Sequence, residues 1–88
     1  MKVFSIYDEK ALTYGLPFFC PTEGIAKRMF NSLVNDLGSN VNKYPGDFKL
    51  YLIGNYNEST AELESTTPLY LAVGTQYVSD QISATTLN

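Results

Sequence analysis

Aromatic and basic side chains are the two types in this sequence that could form a functional site together. Its 88 positions include 7 tyrosines, 5 phenylalanines and 6 lysines or arginines. Aromatic rings on an open protein surface stack on unpaired bases, and neighbouring cations neutralise phosphates. The interleaving of these residue types therefore predicts a candidate surface for single-stranded nucleic acid. Its members are Lys2, Tyr7, Lys10, Tyr14, Lys27, Arg28, Lys43, Tyr44, Lys49 and Tyr51.

The same tyrosines have a second interpretation. Tyrosine rings at these spacings also complete a small hydrophobic core and a dimer interface, where the ring is buried and the hydroxyl finds a partner. From the residues alone this second interpretation is the simpler one.

The charge of the chain limits any binding to a polyanion. Its formal net charge is −3 and its pI is about 4.6. Nucleic-acid-binding domains are usually basic, because their affinity comes largely from counterion release at phosphates. Every lysine and arginine lies within residues 1–49, and residues 50–88 carry only acidic charges. We therefore expect any such binding to be weak, strongly salt-dependent and confined to one face of the N-terminal half.

The composition also argues against catalysis. Histidine, the usual general base and commonest metal ligand, is absent from the sequence. Cys20 is the single cysteine, and after two phenylalanines it is typical of a buried small apolar residue. Glu62 and Glu64 share one side of a predicted strand, which is typical of a solvated face. The sequence therefore predicts no enzymatic activity, no metal and no cofactor.

Neither a membrane span nor a signal peptide is predicted. The longest apolar runs, around 16–20 and 69–73, are much shorter than the roughly 20 residues that cross a bilayer. The first residues alternate between polar and apolar instead of forming the apolar block of a signal peptide. We therefore expect no membrane partner and a reducing cytoplasm as the location.

One helix is clearly indicated. Apolar residues recur every four positions at Ile25, Met29, Leu33 and Leu37, which predicts an amphipathic helix over 22–37. Thr22 is its expected N-cap. Gly38 follows the last apolar position, as a left-handed C-terminal cap does.

The remaining pattern predicts strands. Alternating residues indicate strands at 2–7 and 48–53, a short strand at 61–65 with Leu63 inward, and a final strand at 69–78 after a break at Pro68. Residues 12–20 are expected to form an edge strand or a packed loop.

These elements predict an α+β fold, in which a small antiparallel sheet of about four strands carries a single helix on one face. The open face would carry some of Tyr7, Tyr51, Ile53 and Tyr70, and we expect a second copy of the chain to cover it, giving a homodimer. Residues 1–78 are the predicted domain, and 79–88 are a polar, flexible tail.

Two blocks of the sequence resemble a known viral family. The first comprises residues 1–11, Pro17-Phe18-Phe19 and Pro21-Thr22 before the helix, and the second comprises residues 45–60. Together they resemble the small nonstructural protein of gokushoviruses, which are single-stranded-DNA phages of the microvirus family. Asn57 stands where the family commonly has Asp, and Ala61 stands where it commonly has Gly. The resemblance covers about residues 1–75, and its motifs are structural.

The resemblance implies a nonstructural phage accessory protein in the cytoplasm of the infected host, absent from the mature virion. Its expected role is weak single-stranded-DNA binding or a switch in replication or packaging of the genome. The alternative is a non-enzymatic interaction module that binds a phage replication or assembly protein or a host factor. No binding residue is carried over from the family.

Overall fold

The computed structural model describes residues 1–78, and the predicted tail at 79–88 lies outside the described residues. Two short 3₁₀ turns, Pro45–Asp47 and Gly74–Tyr77, accompany the helices and strands. In chain order the strands and helices are β1 (Lys2–Asp8), β2 (Thr13–Tyr14), β3 (Phe18–Cys20), α1 (Glu23–Val34), α2 (Asn40–Lys43), β4 (Phe48–Tyr56) and β5 (Leu63–Val73).

The strands form a single antiparallel sheet in the order β2-β1-β4-β5. β3 also pairs with β1, opposite Lys2 to Phe4, whereas β2 pairs with Tyr7 and Asp8 at the other end of β1. The α+β class, the antiparallel sheet and the single main helix are therefore confirmed. Within residues 1–78 the sheet has five strands, because the segment predicted as an edge strand or a packed loop forms two short strands on either side of Pro17.

Helix α1 is shorter than predicted. It begins after Thr22, whose Oγ1 accepts a hydrogen bond from the Ile25 backbone N–H at 3.2 Å, as expected of an N-cap. It ends at Val34, with Asn35 as the C-cap, and the side-chain amide of Asn35 donates a hydrogen bond to the Asn31 carbonyl at 2.9 Å. The predicted left-handed cap at Gly38 is wrong, since no glycine among residues 1–78 has a positive φ.

The β4–β5 hairpin also differs from the prediction. The two predicted strands are one strand, β5, which continues through Pro68. Proline is tolerated there because β5 is the outer strand, and the register is irregular between the Leu52–Leu69 and Gly54–Ser65 pairs. Leu63, predicted to face inward, is 65% exposed, since the core residues of this hairpin lie at its other end. The strand stops at Val73, and 74–77 form a 3₁₀ turn.

The core lies between one sheet face and α1. Phe4, Leu50 and Ala72 from the strands pack with Phe30 and Val34 of the helix, all nearly completely buried. Cys20 is buried beside Met29, as predicted. Because α1 covers only this face, the opposite face of the sheet is left without a helix. Among residues 1–78, no helix has the length and apolar character needed to cross a membrane.

Candidate nucleic-acid interface

Four tyrosines from four different strands share the sheet face opposite α1. Phe4, Ile6, Leu50 and Leu52 pack in the core, so the residues that alternate with them in β1 and β4 point to the other side. Strand pairing brings the edge tyrosines to the same face. We call Tyr7, Tyr14, Tyr51 and Tyr70 the tyrosine face.

The four rings are in mutual contact. Tyr7 lies directly opposite Tyr14, with ring centroids 4.6 Å apart, and Tyr51 lies directly opposite Tyr70 at 5.9 Å. Tyr51 also meets Tyr14 at 5.5 Å and Tyr7 at 6.3 Å, both edge to face. Such edge-to-face packing is favourable for aromatic pairs. The result is a continuous aromatic patch across β2, β1, β4 and β5.

The patch is open to solvent at its two ends. Tyr14 is 44% exposed and Tyr70 is 47% exposed, whereas Tyr7 and Tyr51 between them are half-buried. Partial burial raises the pKa of Tyr51 above its usual value, and repulsion from the ionised forms of Tyr14, Tyr7 and Tyr70 raises the pKa further. Tyr51 therefore remains a neutral phenol at physiological pH.

Lys49 supplies a positive charge to this face. It lies opposite Tyr7 in the β1–β4 pairing and two positions before Tyr51, so its side chain projects from the same side of the sheet. Its ammonium group forms an ion pair with the carboxylate of Glu9. The Lys49 side chain is 24% exposed and the Glu9 side chain is 45% exposed, so the pair is reachable from solvent.

Of the ten predicted site residues, the structure places four on or beside the tyrosine face: Tyr7, Tyr14, Lys49 and Tyr51. Lys27 and Arg28 lie on α1, on the other side of the sheet. The Lys2 ammonium group is 4.0 Å from the Glu23 carboxylate at the start of α1.

The other three predicted residues lie near the α2 end of the molecule. Lys43 is the last residue of α2 and Tyr44 follows it. Lys10 and Tyr44 line a cleft of about 440 Å³ together with Asp8, Asn40, Asp47 and Phe48. The predicted set is therefore distributed over several surfaces. DNA binding by any of the ten residues, inside or outside the tyrosine face, stays a prediction.

Two residues of this face were absent from the predicted binding set. Tyr70 was expected on the open face, but only the β4–β5 register shows that it meets Tyr51. Glu9 is not among the predicted binding residues, and its partner Lys49 is distant in sequence. Neither contact leaves a local signal in the sequence.

The family model described as Phage ORF5 protein matches residues 1–77 of the chain. The chain belongs to this phage protein family. The match spans every element from β1 to the second 3₁₀ turn, and therefore includes the whole tyrosine face of this Phage ORF5 family member. No curated protein and no solved structure matches the chain.

Metal ligands are not clustered in the described part of the chain. Within residues 1–78, no group of three or more Asp, Glu or Cys side chains is arranged to hold an ion. The chemistry available at the tyrosine face is therefore aromatic stacking, hydrogen bonding by phenol hydroxyls and ion pairing by Lys49.

Proposed function

We propose that this phage protein is a non-enzymatic accessory factor that binds unpaired DNA weakly through the tyrosine face. The observation that supports the proposal is the contact of four tyrosines on one open sheet face, with Lys49 in the adjacent position. Bases stack on such rings whatever their sequence, because every base has a π-face.

The arrangement suits an unpaired strand better than a duplex. The half-exposed rings of Tyr14 and Tyr70 flank the patch, and Tyr7 and Tyr51 fill the space between them. Bases in a duplex are stacked on one another, so their faces are not available to a protein surface. Stacking on a protein ring is worth about 1–3 kcal/mol for each base.

Electrostatics keeps the proposed binding weak. The net charge is −3, and Lys49 is already paired with Glu9. Phosphate contacts supply most of the non-specific affinity for DNA. We expect dissociation constants of tens of micromolar at low salt, which suits a factor that must release its strand.

The sequence resemblance to the gokushovirus nonstructural protein supports a role in production of single-stranded genomes. Under this proposal the protein acts in the cytoplasm of the infected bacterium, in replication or packaging, and is left out of the mature virion. Its family membership is consistent with such a phage role.

Titration of a fluorescently labelled single-stranded oligonucleotide with the full chain tests the proposal. Fluorescence anisotropy at low salt is expected to rise for single-stranded DNA and to remain flat for the matching duplex. Absence of any response at tens of micromolar protein would overturn the proposal. Equal binding of the duplex would overturn the stacking mechanism.

A second candidate function is a protein-interaction module, which the exposed strand β5 favours. Residues 63–70 of β5 are exposed, and β5 is the outer strand of the described sheet. No charged residue lies between Ser65 and Val73, so Pro68 is the only residue of this stretch that discourages pairing with another strand. The partner would be a second copy of the chain, a phage replication or assembly protein, or a host factor.

Sedimentation analysis of the purified chain tests the simplest form of this candidate, a homodimer. We expect a dimer at tens of micromolar for the native chain and a monomer for Leu69→Lys, which places a charge on the outer strand. A native chain that is monomeric at these concentrations would contradict pairing between copies.

A further inference from the structure

The ion pair between Glu9 and Lys49 lies at the border of the tyrosine face. Lys49 is directly opposite Tyr7, and Glu9 follows the end of β1 by one residue. When the bases of a DNA strand stack on the tyrosine face, a phosphate of that strand would therefore approach the Lys49 ammonium group, which is already paired with the Glu9 carboxylate.

Backbone hydrogen bonds hold the turn that carries Glu9 close to Lys49. The Glu9 backbone N–H donates to the Asp47 carbonyl at 2.9 Å, which ties the turn to the start of β4. Asp8 Oδ1 accepts from the Lys10 N–H at 3.0 Å and from the Ala11 N–H at 3.3 Å, so the turn is closed on itself. These contacts fix the backbone from which the Glu9 carboxylate reaches Lys49.

We propose that Glu9 is an internal competitor of DNA phosphate for Lys49, a regulatory contact that rests on the proposed DNA-binding function of the tyrosine face. The carboxylate occupies the Lys49 ammonium group in the free protein. DNA binding then requires that phosphate displace Glu9 from Lys49. The contact lowers affinity for DNA without altering the aromatic surface.

Competition between Glu9 and phosphate for Lys49 should change the salt dependence of the DNA affinity. Each phosphate contact to a single strand contributes about 0.7 to the slope of log K against log salt concentration, because a counterion is released. A displaced Glu9 takes up a cation from solution, which opposes this release. Loss of the carboxylate should therefore steepen the slope, by less than the roughly 0.7 of one phosphate contact, and raise affinity most at low salt.

The test uses full-length variants and a labelled deoxythymidine oligonucleotide, with anisotropy measured over a series of salt concentrations. Glu9→Gln removes the competitor and Lys49→Gln removes the phosphate site. Glu62→Gln is the matched control, because it changes the net charge equally in the exposed turn before β5. The double variant Glu9→Gln with Lys49→Gln completes a double-mutant cycle, which measures the coupling between the two residues.

We expect Glu9→Gln to bind about 5-fold more tightly at low salt, a factor consistent with the strength of a partly exposed ion pair. Glu62→Gln should match the native chain within about twofold. In the Lys49→Gln background the Glu9→Gln change should have no effect, because the competed site is gone.

Three results would contradict the competition. If Glu9→Gln and Glu62→Gln had equal effects while the native chain bound DNA, competition would be wrong and the proposed function would stand. An effect of Glu9→Gln that persisted in the Lys49→Gln background would assign it to direct repulsion between the Glu9 carboxylate and phosphate. If no variant bound, the proposed function would fail and the competition with it.

Discussion

The ring of Tyr51 packs edge to face against the ring of Tyr70, with centroids 5.9 Å apart, at directly opposed positions of β4 and β5. This contact connects the half-buried centre of the tyrosine face to its exposed border on the outer strand. It also places Tyr51 among three other phenols, because Tyr14 and Tyr7 lie on its other side. The ionisation of Tyr51 is therefore coupled to folding.

Folding stability should fall at alkaline pH through Tyr51. Burial raises the pKa of Tyr51, and neighbouring phenolates raise the pKa further. Below about pH 10, tyrosine is protonated in both the folded and the unfolded chain, so this group has no effect on the pH dependence. Above it, the unfolded chain loses the proton first, and the free energy of unfolding decreases with rising pH.

Urea denaturation at a series of pH values from about 8 to about 11 measures this decrease. Tyr51→Phe should show a shallower decrease than the native chain, and part of the decrease should remain because burial also raises the pKa of Tyr77. Tyr44→Phe is the control, since Tyr44 is 61% exposed and lies outside the face. Equal slopes for Tyr51→Phe and the native chain would contradict the coupling.

Ala61→Gly should stabilise the protein. Ala61 has φ of 65°, a left-handed conformation that costs a residue with a Cβ about 1–2 kcal/mol. Glycine relieves this strain but has more freedom in the unfolded chain, so the expected net gain is about 0.5–1 kcal/mol. Thermal or urea denaturation measures the gain.

The control for this change is Ala11→Gly, which removes the same methyl group at a position with an ordinary negative φ. It should be neutral or slightly destabilising. A loss of stability in Ala61→Gly equal to that in Ala11→Gly would show that the left-handed strain is absent.

Gly54→Ala should destabilise the β4–β5 hairpin. A Cβ at Gly54 would collide with the backbone carbonyl oxygen of Glu64 on the paired strand, which cannot move without breaking the pairing. We expect a loss of about 1–3 kcal/mol in the free energy of unfolding, as for other overpacked sites. Gly24→Ala is the control, because a Cβ there meets only Thr22 Oγ1 at an ordinary 3.8 Å. Equal stabilities for Gly54→Ala and the native chain would contradict the close approach.

Tyr14→Ala and Tyr70→Ala should weaken binding of single-stranded DNA by about 1 kcal/mol or more each, since each removes an exposed stacking ring. Tyr44→Ala removes a more exposed ring that lies outside the tyrosine face and should leave the affinity unchanged. Anisotropy titrations at low salt compare the three variants. A larger loss in Tyr44→Ala than in Tyr14→Ala and Tyr70→Ala would place the contact elsewhere.

Local sequence patterns predicted the fold class and the helix, because these depend on residues close together in the chain. The same patterns failed where a boundary is fixed by tertiary structure. Pro68 looked like a break, but an outer strand does not require its missing N–H. Leu37 completed the apolar period, but the chain leaves the helix at Asn35 and Leu37 is 83% exposed.

The hairpin loop combines a local hydrogen-bonded turn with a left-handed residue. Asn57 Oδ1 accepts from the backbone N–H groups of Ser59 and Thr60 at 2.9 and 3.3 Å, as an aspartate would. Ala61 adopts the left-handed conformation in the same loop, which is unfavourable for a residue with a Cβ.

The candidate site was predictable only in part. Alternation within β1 and β4 was sufficient to place Tyr7 and Tyr51 on one face. The contacts of Tyr14 and Tyr70 depend on strand register, and the separation of Lys27 and Arg28 from Lys49 depends on which face α1 covers. Contacts between residues far apart in the chain cannot be predicted from the spacing of neighbouring residues.

Nuclear magnetic resonance titration of the isotope-labelled chain with a single-stranded oligonucleotide tests the central claim most directly. The proposed function predicts the largest chemical-shift changes at Tyr7, Tyr14, Lys49, Tyr51 and Tyr70, with the α1 signals nearly unchanged. Changes centred on Lys27 and Arg28 of α1, or no changes at tens of micromolar protein, would contradict it.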